Sequence, residues 1–325
     1  MIVLSSCSIL IPNLNGKDLL KKCLPSVLEA TSYDSKHEII ILDMGSTDGS
    51  VEFVRAQYPN IKLVELHHLS IADALNAGLK IARNEIIISI DNDSILDKNF
   101  IPYLLKGFRS PLLFAAHAKL LRWDKSTIDG GRRQAAIQLG IFQTFGEAEN
   151  EKDWGQLNIR SQVLVAEHGA FRKEILQKLG GFDSLFPIYF NRIDVCYRAW
   201  KMGYFVIFEP QSIEFHRSTS RLANSGKAKF LQTTDLEERL LFMWKNFTDS
   251  GLLIRHIVSL GPYLIYMTFK LKDPVVVFKA FMSAFRKMPA VICRRRIESG
   301  RYSRTDRDVF SLLDLSFFLG IKKLR

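Results

Sequence analysis

Cysteine is scarce in this chain of 325 residues: Cys7, Cys23, Cys196 and Cys293 are the four, and none sits in a Cys-x-x-Cys pair. That spacing offers no disulfide framework, and a chain of this length does not need one to hold a core. Reduced thiols in a cytosolic protein are expected. Long apolar runs are missing too. The nearest to a membrane span is Ile257–Phe269, which is interrupted by Pro262. It is too short to cross a bilayer but long enough to lie on its surface. The apolar N-terminal stretch lacks a basic region ahead of it, so no signal peptide is expected. There is no internal repeat and no low-complexity tract.

What is present is a globular composition, 47% hydrophobic and 24% charged, which excludes a disordered or fibrous chain. The net charge is +11 and is unevenly spread. Residues 227–325 hold 19 Lys+Arg and 9 Asp+Glu, whereas residues 1–226 hold 26 and 25. A nearly neutral body therefore carries a basic C-terminal third, which calls for an anionic partner.

Apolar runs at 8–12, 38–42, 61–66 and 85–90 predict buried strands, and helical periodicity over 18–30, 50–57 and 71–82 predicts helices between them. Such alternation predicts an α/β fold with a mostly parallel sheet covered on both faces. Ligands bind such sheets at the carboxyl ends of the strands, which directs attention to Asn13, Asn15, Asp43 and Asp91 to Asp93. Farther on, strands are expected at Gln162–Ala166 and at Phe205–Phe208, the latter ended by Glu209-Pro210. Helices are expected at Lys173–Leu179 and Asp194–Met202, and a linker at Arg217–Lys229.

Asp91-Asn92-Asp93 follows an apolar strand. Two carboxylates one residue apart can hold a divalent cation and leave room for phosphates, although Asp and Asn are also ordinary turn residues. Asp43-Met44-Gly45-Ser46-Thr47-Asp48-Gly49-Ser50 combines a tight turn with helix-capping side chains.

Taken in order, these segments resemble the family-2 glycosyltransferases of GT-A fold. The first half contributes Ile9 to Gly16, Cys23 to Val27, Asp43 to Ser50, Asn76-Ala77-Gly78 and Asp91-Asn92-Asp93. The second contributes Gly169 to Lys173, Gly180 to Asp183, Ile193 to Arg198, Gly203-Tyr204, Pro210 and His216-Arg217-Ser218. Glu238-Arg239 and Trp244 to Phe247 are similar to the bacterial rhamnosyltransferase-like branch, which assembles surface polysaccharide. The resemblance covers about residues 5–250.

It implies a Rossmann-like GT-A domain. Residues 1–110 would form its nucleotide-sugar-binding half and 111–226 its acceptor-binding half, with 227–325 a helical, membrane-associating appendage. It further implies that Pro12, Asn13 and Asn15 line the base and ribose, that Asp43 hydrogen-bonds the base and that Asp91 lies near the ribose. Asp93 and His216 would hold Mg²⁺ or Mn²⁺ on the diphosphate. The cation neutralises charge on the leaving nucleoside diphosphate, of a UDP-, dTDP- or GDP-sugar, as the glycosidic bond breaks.

One position departs from the family. Tyr189-Phe190 is followed by Asn191-Arg192-Ile193-Asp194, where the family has acid, acid, apolar, Asp, and the second acid is the usual base of an inverting transfer. Arg192 cannot be deprotonated and so cannot be that base. Asp194, or another carboxylate such as Asp183, is left as the candidate base, unless donor cleavage proceeds at reduced rate without a strong base. The alternative is a nucleotide-sugar-binding or scaffolding subunit of a polysaccharide assembly complex that no longer catalyses.

In the C-terminal third, Val275, Phe278, Met282, Phe285, Met288 and Ile292 form one helical stripe, and Lys272, Lys279, Ser283 and Arg286 another. That pattern suits an interfacial helix on an anionic membrane, where a lipid-linked glycan acceptor would be presented. The expected place is the inner face of the cell membrane, peripherally. Packing on the body or on a second copy of the chain would also use these stripes, giving a homo-oligomer. No nucleic-acid motif is present, and the apolar content is too high for a phosphate-binding face.

Overall fold

The computed structural model describes residues 6–67, 69–124, 127–145, 158, 160–217 and 228–313. The expected linker falls mainly on residues 218–227, outside the described residues, as does the basic tail beyond 313.

The first half alternates as its pattern predicts: β1 (Cys7–Asn13), α1 (Lys17–Thr31), β2 (Glu38–Asp43), α2 (Ser50–Gln57), β3 (Lys62–Glu65), α3 (Ile71–Ile81) and β4 (Ile86–Ser89). β1 pairs parallel with both β2 and β4, and β2 with β3. Side-chain alternation divides the apolar runs between two cores. Leu10, Ile40 and Leu42 pack with Ala72, Leu75 and Leu79 of α3. Ile9, Ile11, Ile39 and Ile41 pack with Leu20, Leu24 and Val27 of α1. Strands buried on both faces must be apolar throughout, which is why no polar alternation marks them.

The chain continues through β5 (Ser94–Leu96), α4 (Phe100–Leu105), β6 (Leu113–Arg122), β7 (Ile128–Gly130), β8 (Gln134–Gln138), β9 (Ile141–Phe145), β10 (Ser161–Gln162), β11 (Gly169–Arg172), α5 (Lys173–Lys178), α6 (Asn191–Lys201) and β12 (Phe205–His216). One sheet, in the order β10-β12-β6-β11-β4-β1-β2-β3, runs across both halves, with β5 on β12 and β7 on β6. β8 and β9 form a separate hairpin. β11 is antiparallel to β4 and to β6. Its first residue, Gly169, therefore lies beside Ser89 at the carboxyl edge of β4. A Cβ at Gly169 would stand 2.0 Å from the Ala116 carbonyl oxygen, so only glycine lets β11 approach β6 this closely.

Three boundaries differ from expectation. Of the strand expected at Gln162–Ala166 only Gln162 is in β10, because the Val163 and Leu164 N–H groups turn to the carbonyls of Val206 and Arg133. β12 does not end at Pro210. A register shift between Glu209 and Ile213 absorbs the missing N–H, and the strand runs on to His216. α6 starts at Asn191 rather than Asp194, because Glu238 accepts the N–H groups of Ile188, Tyr189 and Phe190 just ahead of it.

The C-terminal third forms α7 (Ala228–Asn246), α8 (Ser250–Leu271), α9 (Pro274–Arg286), α10 (Met288–Ser299) and α11 (Asp306–Leu312). It is fastened to the body. Leu240, Leu241 and Phe242 of α7 join the core with Phe190 and Trp200, and Lys201 pairs with Asp306 of α11 at 2.6 Å. The apolar stretch around Ile257–Phe269 belongs to a 22-residue helix, long and apolar enough by length and composition to cross a membrane. The expectation that it is too short is corrected: α8 continues through Pro262. The single stripe expected over Val275–Ile292 is split at Lys287, where Pro289 opens α10.

Candidate active site

The loop after β1 and the loop after β2 are joined by one carboxylate. Asp43, 1% exposed, accepts Asn13 Nδ2 at 2.9 Å, the Ser46 hydroxyl at 2.7 Å and the Ser46 N–H at 2.8 Å. Gly45, at φ +96°, allows the turn that brings these N–H groups back. Asn15 is exposed and accepts the Thr47 N–H at 2.8 Å. Of the residues expected to line the base, only Asn15 offers an open side chain. Pro12 and Asn13 are buried, and Asp43 braces the two loops from behind instead of presenting itself to a ligand.

Asn92 links this loop to a second cluster by donating to Asn13 Oδ1 at 2.7 Å. Asp91 Oδ1 accepts from Arg192 at 3.1 Å, while Asp91 Oδ2 lies 3.7 Å from His168 Nε2. His168 Nδ1 meets Glu214 Oε1 at 2.8 Å, and Ser94 donates to the same oxygen. His216 lies between two carboxylates, with Nδ1 at 2.7 Å from Asp129 and Nε2 at 3.2 Å from Asp93. Burial alone would raise the Asp91 carboxyl, but Arg192, His168 and His216 outweigh it and hold it down to about 2. Burial works against protonation of both rings. The charges of Glu214 and Asp91 nevertheless raise His168, and hydrogen bonds to Asp129 and Asp93 lift His216 to about 11.

The residues present fit a divalent cation. Ligand atoms of Asp91, His168 and His216 all lie within 4.8 Å of one another. Glu214 is fully buried, and its Oε2 has no hydrogen-bond partner among the described residues. A buried carboxylate without full compensation favours a cation nearby.

The structure sets Asp93 against His216, the pair expected to hold the cation, and draws Asp91, expected near the ribose, into the same cluster. It does not bring Asp194 or Asp183 to them. Asp194 is fully buried and takes Arg198 at 2.7 Å, Lys245 at 2.8 Å and Asn246 at 2.8 Å. Burial would raise its carboxyl, but Arg198 and Lys245 lower it. Asp183 pairs with Lys245 and Arg294, at 2.9 and 2.8 Å. The assignment of Asp194 as base is therefore corrected: both its oxygens are committed to ion pairs in the core, with no face toward a substrate. Arg192 likewise turns inward, to Asp91 and Ser89.

Sequence reasoning missed His168, Glu214 and Asp129. β11 runs antiparallel to β4, so the residue before this strand, not the one after it, stands at the ligand edge. Glu214 is hidden inside a strand expected to have ended at Pro210.

The Glycosyl transferase family 2 model matches residues 8–180. The chain belongs to that family. The uncharacterized glycosyltransferase YibD of Escherichia coli is 32% identical over 327 residues, covering 94% of this chain and 88% of that protein. The O-antigen biosynthesis protein RfbC of Myxococcus xanthus is 24% identical over 239 residues, and the match spans only 18% of its length. Among solved structures, the mannosyltransferase PcManGT from Pyrobaculum calidifontis, in complex with GDP-Man and Mn²⁺, matches 99% of this chain and 82% of its own with a TM-score of 0.54. At 16% identity that match shows the shared GT-A fold.

Proposed function

We propose that this chain transfers a sugar from a nucleotide-sugar donor to a growing surface glycan, with Mn²⁺ or Mg²⁺ at the site. The observation that carries the reading is the meeting of Asp93 with His216 at 3.2 Å, with Asp91 in the same cluster, beside the braced Asn13–Asp43–Ser46 loop at the carboxyl edge of the sheet. The RfbC and PcManGT names support a glycan acceptor and a nucleotide-sugar donor. UDP, dTDP and GDP remain the donor nucleotides to compare.

In this reading Asp91, Asp93 and His216 face the diphosphate, and the cation they would hold supplies charge stabilisation to the leaving group. Asn15 and the loop edge take the nucleoside. Asp43 keeps that loop shaped. Arg192 fixes the rotamer of Asp91 and leaves Asp91 Oδ2 facing the site. Residues 1–110 carry the donor contacts, and 111–226 form the acceptor side.

Residues 227–325 place the enzyme on an anionic membrane face, as a peripheral protein of the inner leaflet. One side of α8 is packed, with His256 accepting from Trp244 at 3.0 Å and reaching the Gly140 carbonyl at 3.1 Å. The other side exposes Ile257, Val258, Ile265 and Phe269, each more than 60% exposed. Val275, Phe278 and Phe285 of α9 are exposed as well. A helix pinned to the body along one side, with an apolar outer side, suits an interface rather than a crossing. A lipid-linked acceptor would meet the site there.

The test is incubation of the full chain with UDP-, dTDP- and GDP-sugars and Mn²⁺, followed by measurement of released nucleotide. Release with one donor supports transfer. Nucleotide binding without release from any donor overturns it in favour of a scaffolding subunit.

A further inference from the structure

We propose that His168, held in place by Glu214, is itself a ligand of the cation, so that Asp91, His168 and His216 seat it together. The proposal deepens the nucleotide-sugar reading and rests on it for the purpose of the ion.

Glu214 is fully buried and takes the Nδ1 side of His168 at 2.8 Å. A carboxylate only accepts, so Nδ1 carries the proton and the Nε2 lone pair is directed to the site. There Nε2 stands 3.7 Å from Asp91 Oδ2, too far for a hydrogen bond. A metal would span that gap. Two donors about 2.1 Å from one ion stand about 3.0 Å apart when cis and about 4.2 Å when trans. His216 has the same construction, with Asp129 behind its Nδ1 at 2.7 Å. A carboxylate behind each imidazole is the arrangement that orients histidine ligands and raises their basicity.

Asp91 is divided to match. Its Oδ1 is taken by Arg192, and its Oδ2 is the oxygen turned toward His168. The backbone fixes His168 as well. Its carbonyl accepts from Ala118 N–H at 3.1 Å and meets His117 Nδ1 at 2.8 Å, and Gly169 is wedged against β6. Two imidazole donors shift the site away from Mg²⁺, which prefers oxygen, and toward Mn²⁺.

The experiment is Mn²⁺ binding to the full chain with UDP or GDP, followed by electron paramagnetic resonance. Two coordinating imidazole nitrogens are expected in the wild type, and Mn²⁺ should bind more tightly than Mg²⁺. His168→Gln should retain its melting temperature, show one nitrogen and bind Mn²⁺ at least about tenfold more weakly. Glu214→Gln should weaken binding by about 10- to 100-fold. Nitrogen counting on the wild type keeps the test valid if either variant folds poorly. Mn²⁺ binding lost in His216→Ala but unchanged in His168→Gln, with one nitrogen in the wild type, overturns this proposal alone. No Mn²⁺ binding by the wild type with either nucleotide overturns it together with the metal-dependent reading.

Discussion

Arg192 donates from Nη2 to Asp91 Oδ1 at 3.1 Å and to Ser89 Oγ at 2.9 Å, so the cation at the family's base position is spent on the first acid of the Asp91-Asn92-Asp93 motif. This pair holds Asp91 ionised and orients it. Arg192→Met should lower donor turnover at least about tenfold, because truncating one member of a close charge pair leaves the other free to reorient. Arg192→Asp should be worse, since it sets a second carboxylate against Asp91. Steady-state rates of both variants with the preferred donor check this. A rise in turnover with Arg192→Asp would instead mean a damaged base site repaired.

Asp194 should behave as a structural residue. It shares Lys245 of α7 with Asp183, in the loop ahead of α6, and with Glu298 of α10, and it pairs with Arg198 one turn along α6. Removing one partner of a buried pair costs about 3–5 kcal/mol. Asp194→Asn should therefore lower the denaturation midpoint strongly, and the fraction that stays folded should keep its turnover. A variant of wild-type stability with abolished turnover would restore Asp194 as the base.

The parallel half of the sheet was legible because strands buried on both faces leave unbroken apolar runs; Asp91 and Asp93 were legible because they follow such a strand, and His216, the last residue of β12, because of its place in the order of family-like motifs. His168 was not, since its chemistry depends on the direction of β11, which is a property of pairing rather than of local sequence. Glu214 was obscured by Pro210, a residue that ends most strands but here sits in a bulge. The inward turn of Asp194 was equally invisible: its partners Lys245 and Asn246 are about fifty residues away in the chain, and only the docking of α7 brings them near.

Glu238 gives the fold a pH dependence of its own. Burial pushes its carboxyl up to about 7, although it accepts three backbone N–H groups ahead of α6. A folded-state value raised above the unfolded one favours the protonated form in the fold. Its stabilisation is complete below the unfolded value of about 4.5 and is lost as pH rises through about 7. Across that window the loss amounts to about 3 kcal/mol. Denaturation of wild type and Glu238→Gln between pH 5 and 8 should show the wild type losing stability relative to the variant as pH rises. Parallel curves would show that the three N–H groups keep Glu238 ionised throughout.

Phe269 and Phe278, 77% and 65% exposed, should govern membrane attachment. Each buried aromatic contributes about 1.5–3 kcal/mol, and each nearby Lys or Arg about 1 kcal/mol on an anionic surface. Lys279 and Arg286 lie on α9, and Lys272 caps the end of α8. Sedimentation with phosphatidylglycerol vesicles should exceed that with phosphatidylcholine and should weaken with salt as the charges are screened. Phe269→Asp and Phe278→Asp should each cut binding about tenfold without changing donor turnover in solution, because neither side chain touches the Asp91–His216 cluster. If these faces pair with a second copy instead, vesicles will not sediment the wild type, and the same variants will convert a dimer to a monomer in light scattering. The two occupants differ in kind: a bilayer needs the basic stripe and responds to salt, whereas a self-paired apolar face brings like charges together and is strengthened by salt.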